Sequence, residues 1–310
     1  MSTFFIGDVA LDEYFSAESW PGIADKGFVD ELPSKFGGSI ANAAVIHAAL
    51  GGVPEFISLL NESSLSEKLI RDLNENGVST RHMIRNAEVP ESRNLIFLVN
   101  NEHVVLTVEI GQQPMWLRPE TMLALRQPGY LYTTLFRARR LHFQTGNEVL
   151  SKAPLLGDLR EHGRQSIFDL DVGGATEEDL PFLQSANVVI FNQVGFRATF
   201  GHDDLAAVDG WRRENGIKRV IRTAAAEGAQ ALDDGTLVIA PGFEVEVTDV
   251  TGAGDTFGGA LTWGLESDVP FVNALNFAVA AASRSVTQFG PRGGKAHASE
   301  VRAFQTHNRR

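Results

Sequence analysis

The residues best placed to do chemistry lie in one stretch, Asp249-Val250-Thr251-Gly252-Ala253-Gly254-Asp255-Thr256. Two glycines just ahead of a small-residue run let successive N–H groups converge. A helix start adds its positive end, so such a turn holds an anion. Asp255, in the first turn of that helix, can take a proton from a hydroxyl attacking the bound anion. The competing reading makes Asp255 a helix cap and the glycines a tight turn. A second stretch, Gly37-Gly38-Ser39-Ile40-Ala41-Asn42, opens another helix and offers the Asn42 amide to a polyol hydroxyl. Its plain alternative is a glycine-rich turn with Asn at a helix start.

Other templates fit less well. Gly252, Gly254 and Gly258 approximate a dinucleotide fingerprint, but Asp255 would face the pyrophosphate, and helix follows where a second strand with a ribose-binding acid is needed. Gly37-x-Ser39-x-Ala41 has the outline of a nucleophile elbow, yet no spacing selects a partner for it, His297 included. Gly294-Lys295 is followed by Ala296 and lacks the leading glycine of a phosphate-binding loop. The eight His residues are scattered, without an i, i+4 pair for zinc. With no Cys in the chain, disulfides, thiolate metal sites and Cys nucleophiles are excluded together.

The 310 residues carry 27 Lys+Arg against 39 Asp+Glu, a net charge of −12. That excess of acid speaks against nucleic acid as a partner, which needs a basic face, but not against a small phosphate held by backbone N–H groups. The opening Met-Ser-Thr-Phe-Phe-Ile-Gly-Asp lacks a basic n-region, and no apolar run approaches the ~18 residues of a membrane span. A cytoplasmic protein without a membrane partner is the expectation.

Around these motifs the chain reads as strands spaced by helices. Thr3–Ile6 is a buried strand ending at Gly7-Asp8, Ser39–Leu50 a packed helix stopped by Gly51-Gly52, Glu55–Leu59 a strand and Ser66–Asn76 an amphipathic helix. Leu95–Val99 and Val104–Ile110, split by Asn100-Asn101-Glu102-His103, form a hairpin that interrupts this rhythm. With part of 12–36 it makes a small projecting sheet. Strands are expected again at Leu141–Phe143, Ser166–Asp169, Val188–Phe191, Val220–Thr223 and Val245–Val247. Helices follow at Leu205–Asn215, from about Asp255, and at Asn273–Val286. Such alternation implies a mainly parallel sheet covered on both faces.

The two glycine motifs, in this order, resemble the ribokinase-like (pfkB) family of carbohydrate and nucleoside kinases, and the likeness spans nearly the whole chain. It includes the Gly7–Asp12 start, the Gly-Gly-x-x-x-Asn block and the Thr-Gly-Ala-Gly-Asp turn. It implies one domain over 1–310, a ribokinase-like three-layer α/β/α sandwich with a mainly parallel central sheet. Parts of 12–36 and 90–112 would form a small β lid. Asp255 would be the catalytic base, and the N–H groups of Gly252, Ala253 and Gly254 would hold the transferred phosphoryl. Asp12, Gly38 and Asn42 would bind substrate, while Asn192, Thr223 and Gly228 would line the nucleotide. Asp249 would lie near a monovalent-cation site, with ATP, Mg²⁺ and K⁺ as cofactors.

Several positions depart from the family pattern. Asn192-Gln193-Val194-Gly195 lacks the carboxylate of Asn-x-x-Glu, and Ala225 replaces a glycine beside the nucleotide. Ser39 stands where ribose-specific members have Lys, Glu91-Ser92-Arg93-Asn94 lacks a Thr-Gly pair, and Gly111-Gln112-Gln113 replaces Gly-Ala-Asn. The resemblance therefore implies an ATP- and Mg²⁺-dependent kinase for a primary hydroxyl of a sugar or sugar-like molecule. The alternatives are a nucleoside kinase, with Phe15, Trp20 or Phe28 under the base, and a catalytically weak sugar binder. The exposed lid edges imply a homodimer.

Overall fold

A computed structural model describes residues 2–22, 25–99, 102–108 and 113–308. Its centre is an eight-stranded sheet in the order Pro54–Ile57, Ser2–Ile6, Gly129–Thr134, Arg164–Asp169, Ala186–Asn192, Arg219–Thr223, Gly228–Asp233 and Thr236–Pro241. The first six strands run parallel, and the last two form an antiparallel hairpin at one edge.

Alternation along each strand divides the core in two. Phe5, Tyr132, Ile167, Val188, Ile190 and Ile221 face one side and pack under the helices Ser39–Ala49, Ala253–Glu266 and Phe271–Ser285. Phe4, Ile6, Leu131, Phe168, Val189 and Phe191 face the other side, under Pro119–Leu125 and Lys152–Glu161. The result is a helix–sheet–helix sandwich, as the family resemblance implies.

Beside it stands a four-stranded sheet in the order Asp30–Gly37, Ala10–Ala17, Arg93–Val99 and Glu102–Thr107. The expected hairpin is its outer half, antiparallel as anticipated. Asn100, Asn101, Ile110, Gly111 and Gln112 lie outside the described residues.

Three strand assignments need correction. Gly129–Thr134 is a further central strand, unmarked in the sequence because Tyr and Thr interrupt its apolar character. Leu141–Thr145 is a strand, but it pairs with Met115–Trp116 and Glu148–Ser151 in a separate small sheet. Val245–Val247 is irregular, and the strands before the anion turn are Gly228–Asp233 and Thr236–Pro241. The Leu205–Asn215 helix is a 3₁₀ turn, Ala206–Val208, followed by Asp209–Glu214.

The helix bearing Asn42 and the helix bearing Asp255 lie very close together. A Cβ at Gly259 would sit 2.4 Å from the Ala43 carbonyl, and one at Gly258 would sit 2.0 Å from the Tyr132 hydroxyl. Only glycine allows that approach. We predict that Gly259→Val lowers stability by about 1–3 kcal/mol through overpacking. Gly254→Ala, whose Cβ meets nothing within 4 Å, leaves thermal unfolding by circular dichroism unchanged or shifted upward.

Candidate active site

The parallel strands release their carboxyl ends along one edge, where open α/β sheets bind ligands. Asp8 follows Ser2–Ile6, Thr134 and Asp169 end their strands, and Asn192 and Thr223 end the next two. The two glycine motifs converge on the same edge.

Asp255 occupies the third position of the helix Ala253–Glu266, whose N-cap is Gly252. Its carboxylate does not cap the helix. Oδ2 accepts a hydrogen bond from Asn42 Nδ2 at 2.9 Å, across 213 residues of sequence. Asn42 Oδ1 in turn accepts from Arg292 Nε at 3.0 Å, and Arg292 Nη1 pairs with Asp72 at 2.6 Å. With its oxygen committed to Arg292, the Asn42 amide must turn its nitrogen toward Asp255. No sequence signal singled out Arg292 or Asp72.

Burial pushes the Asp255 carboxyl up to about 7. The Asn42 hydrogen bond and the Arg292 charge oppose this rise, whereas Asp169 and Asp171 reinforce it. Burial likewise raises Asp169 to about 6, against the hydrogen bond it accepts from the Tyr132 hydroxyl at 2.6 Å. A carboxyl near neutrality suits a base that must be ionised when substrate arrives and protonated afterwards.

The turn before Asp255 corrects one expectation. The Ala253 N–H donates to the Val250 carbonyl at 3.2 Å and is not free for an anion. Among the described residues the N–H groups of Gly252 and Gly254 have no acceptor. Gly252 adopts φ 76°, and a Cβ there would lie 2.1 Å from the Pro291 carbonyl. Glycine is therefore required for the turn to seat against the 290–292 loop. Asp249 fastens the same turn, with Oδ1 accepting from Thr251 N and Oδ2 from Gly290 N, both at 2.9 Å. Burial raises its carboxyl, but those N–H groups outweigh burial and hold it below the usual range.

On the side-sheet flank, Asp12 Oδ1 accepts from Asn94 Nδ2 at 2.7 Å, a partner the sequence did not reveal. Burial raises the Asp12 carboxyl, while Asn94, Arg292 and Lys35 pull it back. Gly38, with φ 99°, allows the helix start to approach the Asp8 carbonyl, which a Cβ would meet at 2.3 Å.

Asn192 Oδ1 caps its own helix by accepting from Gly195 N at 2.8 Å, and its Nδ2 donates to Asp171 Oδ1 at 2.9 Å. A Cβ on Gly195 would lie 1.9 Å from the Asp171 carbonyl. The Asp171 backbone thus fills the space that a glutamate at position 195 would need. Thr223 is hydrogen-bonded to the Phe191 carbonyl at 3.4 Å, and Gly228 turns beside it with φ 94°. Ala225 takes φ 46°, the conformation that favours glycine.

No helix among the described residues is long and apolar enough to cross a membrane. The α/β sandwich thus places a carboxylate at a helix start, beside amides without an acceptor among the described residues, on the edge where open α/β sheets bind ligands. The chain belongs to the pfkB family of carbohydrate kinases, whose family model matches residues 25–297. It is 24% identical over 313 residues to a ribokinase of Lactococcus lactis, covering 96% of this chain and 95% of that one. It is 25% identical to a 5-dehydro-2-deoxygluconokinase of Geobacillus kaustophilus, over 80% of this chain and 77% of the relative. The fold matches Arabidopsis thaliana ribokinase complexed with ribose and ATP, with TM-score 0.82, 18% identity and 98% of each chain covered.

The network generates a titration test. In the wild type, the ¹³C-labelled Asp255 carboxyl should titrate near pH 7 by NMR. Asn42→Ala and Arg292→Met each remove an influence that lowers its pKa, so both should move the midpoint to higher pH. A midpoint unmoved in both variants would show that the relay does not reach Asp255.

Proposed function

We propose that the chain transfers the γ-phosphoryl group of ATP to a primary hydroxyl of a sugar or sugar-like molecule, with Asp255 as the base. The observation that carries this is the Asp255 carboxylate, poised near neutrality, next to the unpartnered amides of Gly252 and Gly254. The Arabidopsis relative with this fold is complexed with ribose and ATP, which supports both ligands.

In this reading Asp255 takes the hydroxyl proton as the oxygen attacks the phosphorus. Asn42 keeps the carboxylate aimed, and the Gly252 and Gly254 amides stabilise charge on the transferring group. Asp12 and Asn42 hold substrate hydroxyls, with Gly38 allowing close approach. Asn192, Thr223 and Gly228 line the nucleotide side. Mg²⁺ bound with ATP would neutralise phosphate charge. Among the described residues no cluster of three metal-ligating side chains forms, so Mg²⁺ would be held chiefly by the phosphates, with the Asp171 carboxylate, which Asn192 orients, as a protein contact.

The four-stranded side sheet then acts as a lid over the sugar. Its outer face carries Leu11, Phe15, Leu95, Phe97 and Leu106, of which Leu106 is 48% exposed. An apolar face of this kind suits a homodimer built lid to lid. Light scattering should report a dimer, and Leu106→Lys should weaken it.

Asp255→Asn should lower kcat by at least about 10²–10⁴-fold while sugar binding survives. At pH 8 the same variant should melt no lower than wild type. The folded pKa of Asp255 lies above its unfolded value, so ionisation destabilises the folded state as pH rises through about 7. An amide does not ionise and escapes that penalty. Retention of most of kcat by Asp255→Asn would sink the assignment.

A further inference from the structure

A cavity of about 220 Å³ lies between the side sheet and the sheet edge. Asp8, Ser39 and Arg137 line it from the sandwich, and Asn94 and Thr107 from the side sheet. It is smaller than the ~300–1,000 Å³ of drug-sized ligand sites, which suits one monosaccharide. Asn42, the partner of Asp255, follows Ser39 by about one turn of the same helix.

At its base, Arg137 pairs with Asp8 Oδ1 through Nη2. The Arg137 side chain is 1% exposed and the Asp8 side chain 37%. The rest of the guanidinium is poorly matched: Nε has no partner, and Nη1 reaches only the Met115 thioether at 3.9 Å. A buried arginine this short of acceptors binds strongly to the one carboxylate it has. Asp8 is thereby held in place, and its second oxygen, without a partner among the described residues, can take hydroxyl donors. Ser39, Thr107 and Asn94 add neutral hydrogen-bonding groups around it. Arg93, which also lines the cavity, lies 3.6 Å from the Glu13 carboxylate, so each of the two cations lining it faces a carboxylate. An anionic ligand would therefore meet the Asp8 carboxylate with no excess of positive charge once Glu13 is counted with the described lining residues.

We propose that Asp8 is a specificity-determining residue that accepts hydroxyls at the end of the substrate remote from Asp255, with Arg137 as its positioning residue. The cavity so built selects neutral polyols over sugar acids and sugar phosphates. This rests on the kinase reading of the Asp255 site.

The test is ADP release from the full chain with D-ribose, D-fructose, D-gluconate and D-fructose 6-phosphate, beside calorimetric binding of the same compounds. For the best neutral sugar, Asp8→Asn should raise KM at least about tenfold, as expected for losing a charge-assisted hydrogen bond. It should leave kcat within about threefold and KM for ATP unchanged, and it should narrow the preference for that sugar over D-gluconate. Asp8→Ser serves if the first variant does not fold, and Arg137→Lys should raise the sugar KM in the same way. Two results would overturn the proposal. One is a KM within about twofold of wild type in the Asp8 variant. The other is wild-type use of D-gluconate or D-fructose 6-phosphate as efficiently as any neutral sugar. ADP release from none of the four compounds would instead remove the kinase reading. Calorimetry then decides: sugar binding weakened by Asp8→Asn upholds the role of Asp8, and binding that is absent or insensitive ends it.

Discussion

The hydrogen bond between Asn42 and Asp255 is the constraint around which the site is organised. It joins two helices that meet only because Gly258 and Gly259 allow backbone to approach backbone and ring. A larger residue at either position would lift the Asp255 helix off Ala43 and Tyr132, and the carboxylate would lose its partner. The small-residue character of this helix, which looks like ordinary core packing in the sequence, is thus what places the Asp255 carboxylate.

Electrostatics around that bond are balanced between opposing neighbours. Asp169 and Asp171 come from the adjacent strand end and raise the Asp255 carboxyl, while Arg292 arrives from a distant loop and lowers it. Arg292 also acts on Asp12 at the side-sheet flank, so one guanidinium tempers two carboxylates in the same cleft. The arrangement concentrates acids in one cleft; burial raises Asp255 most, and the Asn42 hydrogen bond and the Arg292 charge limit that rise. Tyr132 contributes in two ways, by packing against Gly258 and by donating to Asp169.

The loss of the family glutamate at position 195 has a local explanation. The Asp171 backbone, in a left-handed conformation, occupies the space beside Gly195, and Asn192 turns its amide to hold the Asp171 carboxylate. A sequence comparison sees a missing acid, whereas the fold brings an acid to the same strand edge from another segment.

Periodicity and the two glycine motifs were enough to specify the α/β class, the helix starts and Asp255 as the group of interest, because each depends on local backbone preferences. The central strand Gly129–Thr134 carries no apolar run to mark it, because Tyr and Thr fill most of a segment that only the fold shows to be buried. Whether Asp255 capped its helix or faced a partner was undecidable locally, since both uses need the same residue at the same place. Tertiary structure decided it by bringing Asn42 within 2.9 Å. The contacts of Arg292, Asp8, Arg137 and Asn94 were likewise fixed only by folding. Charge and hydrogen bonding act through space, and no spacing along the chain records which distant residues will meet.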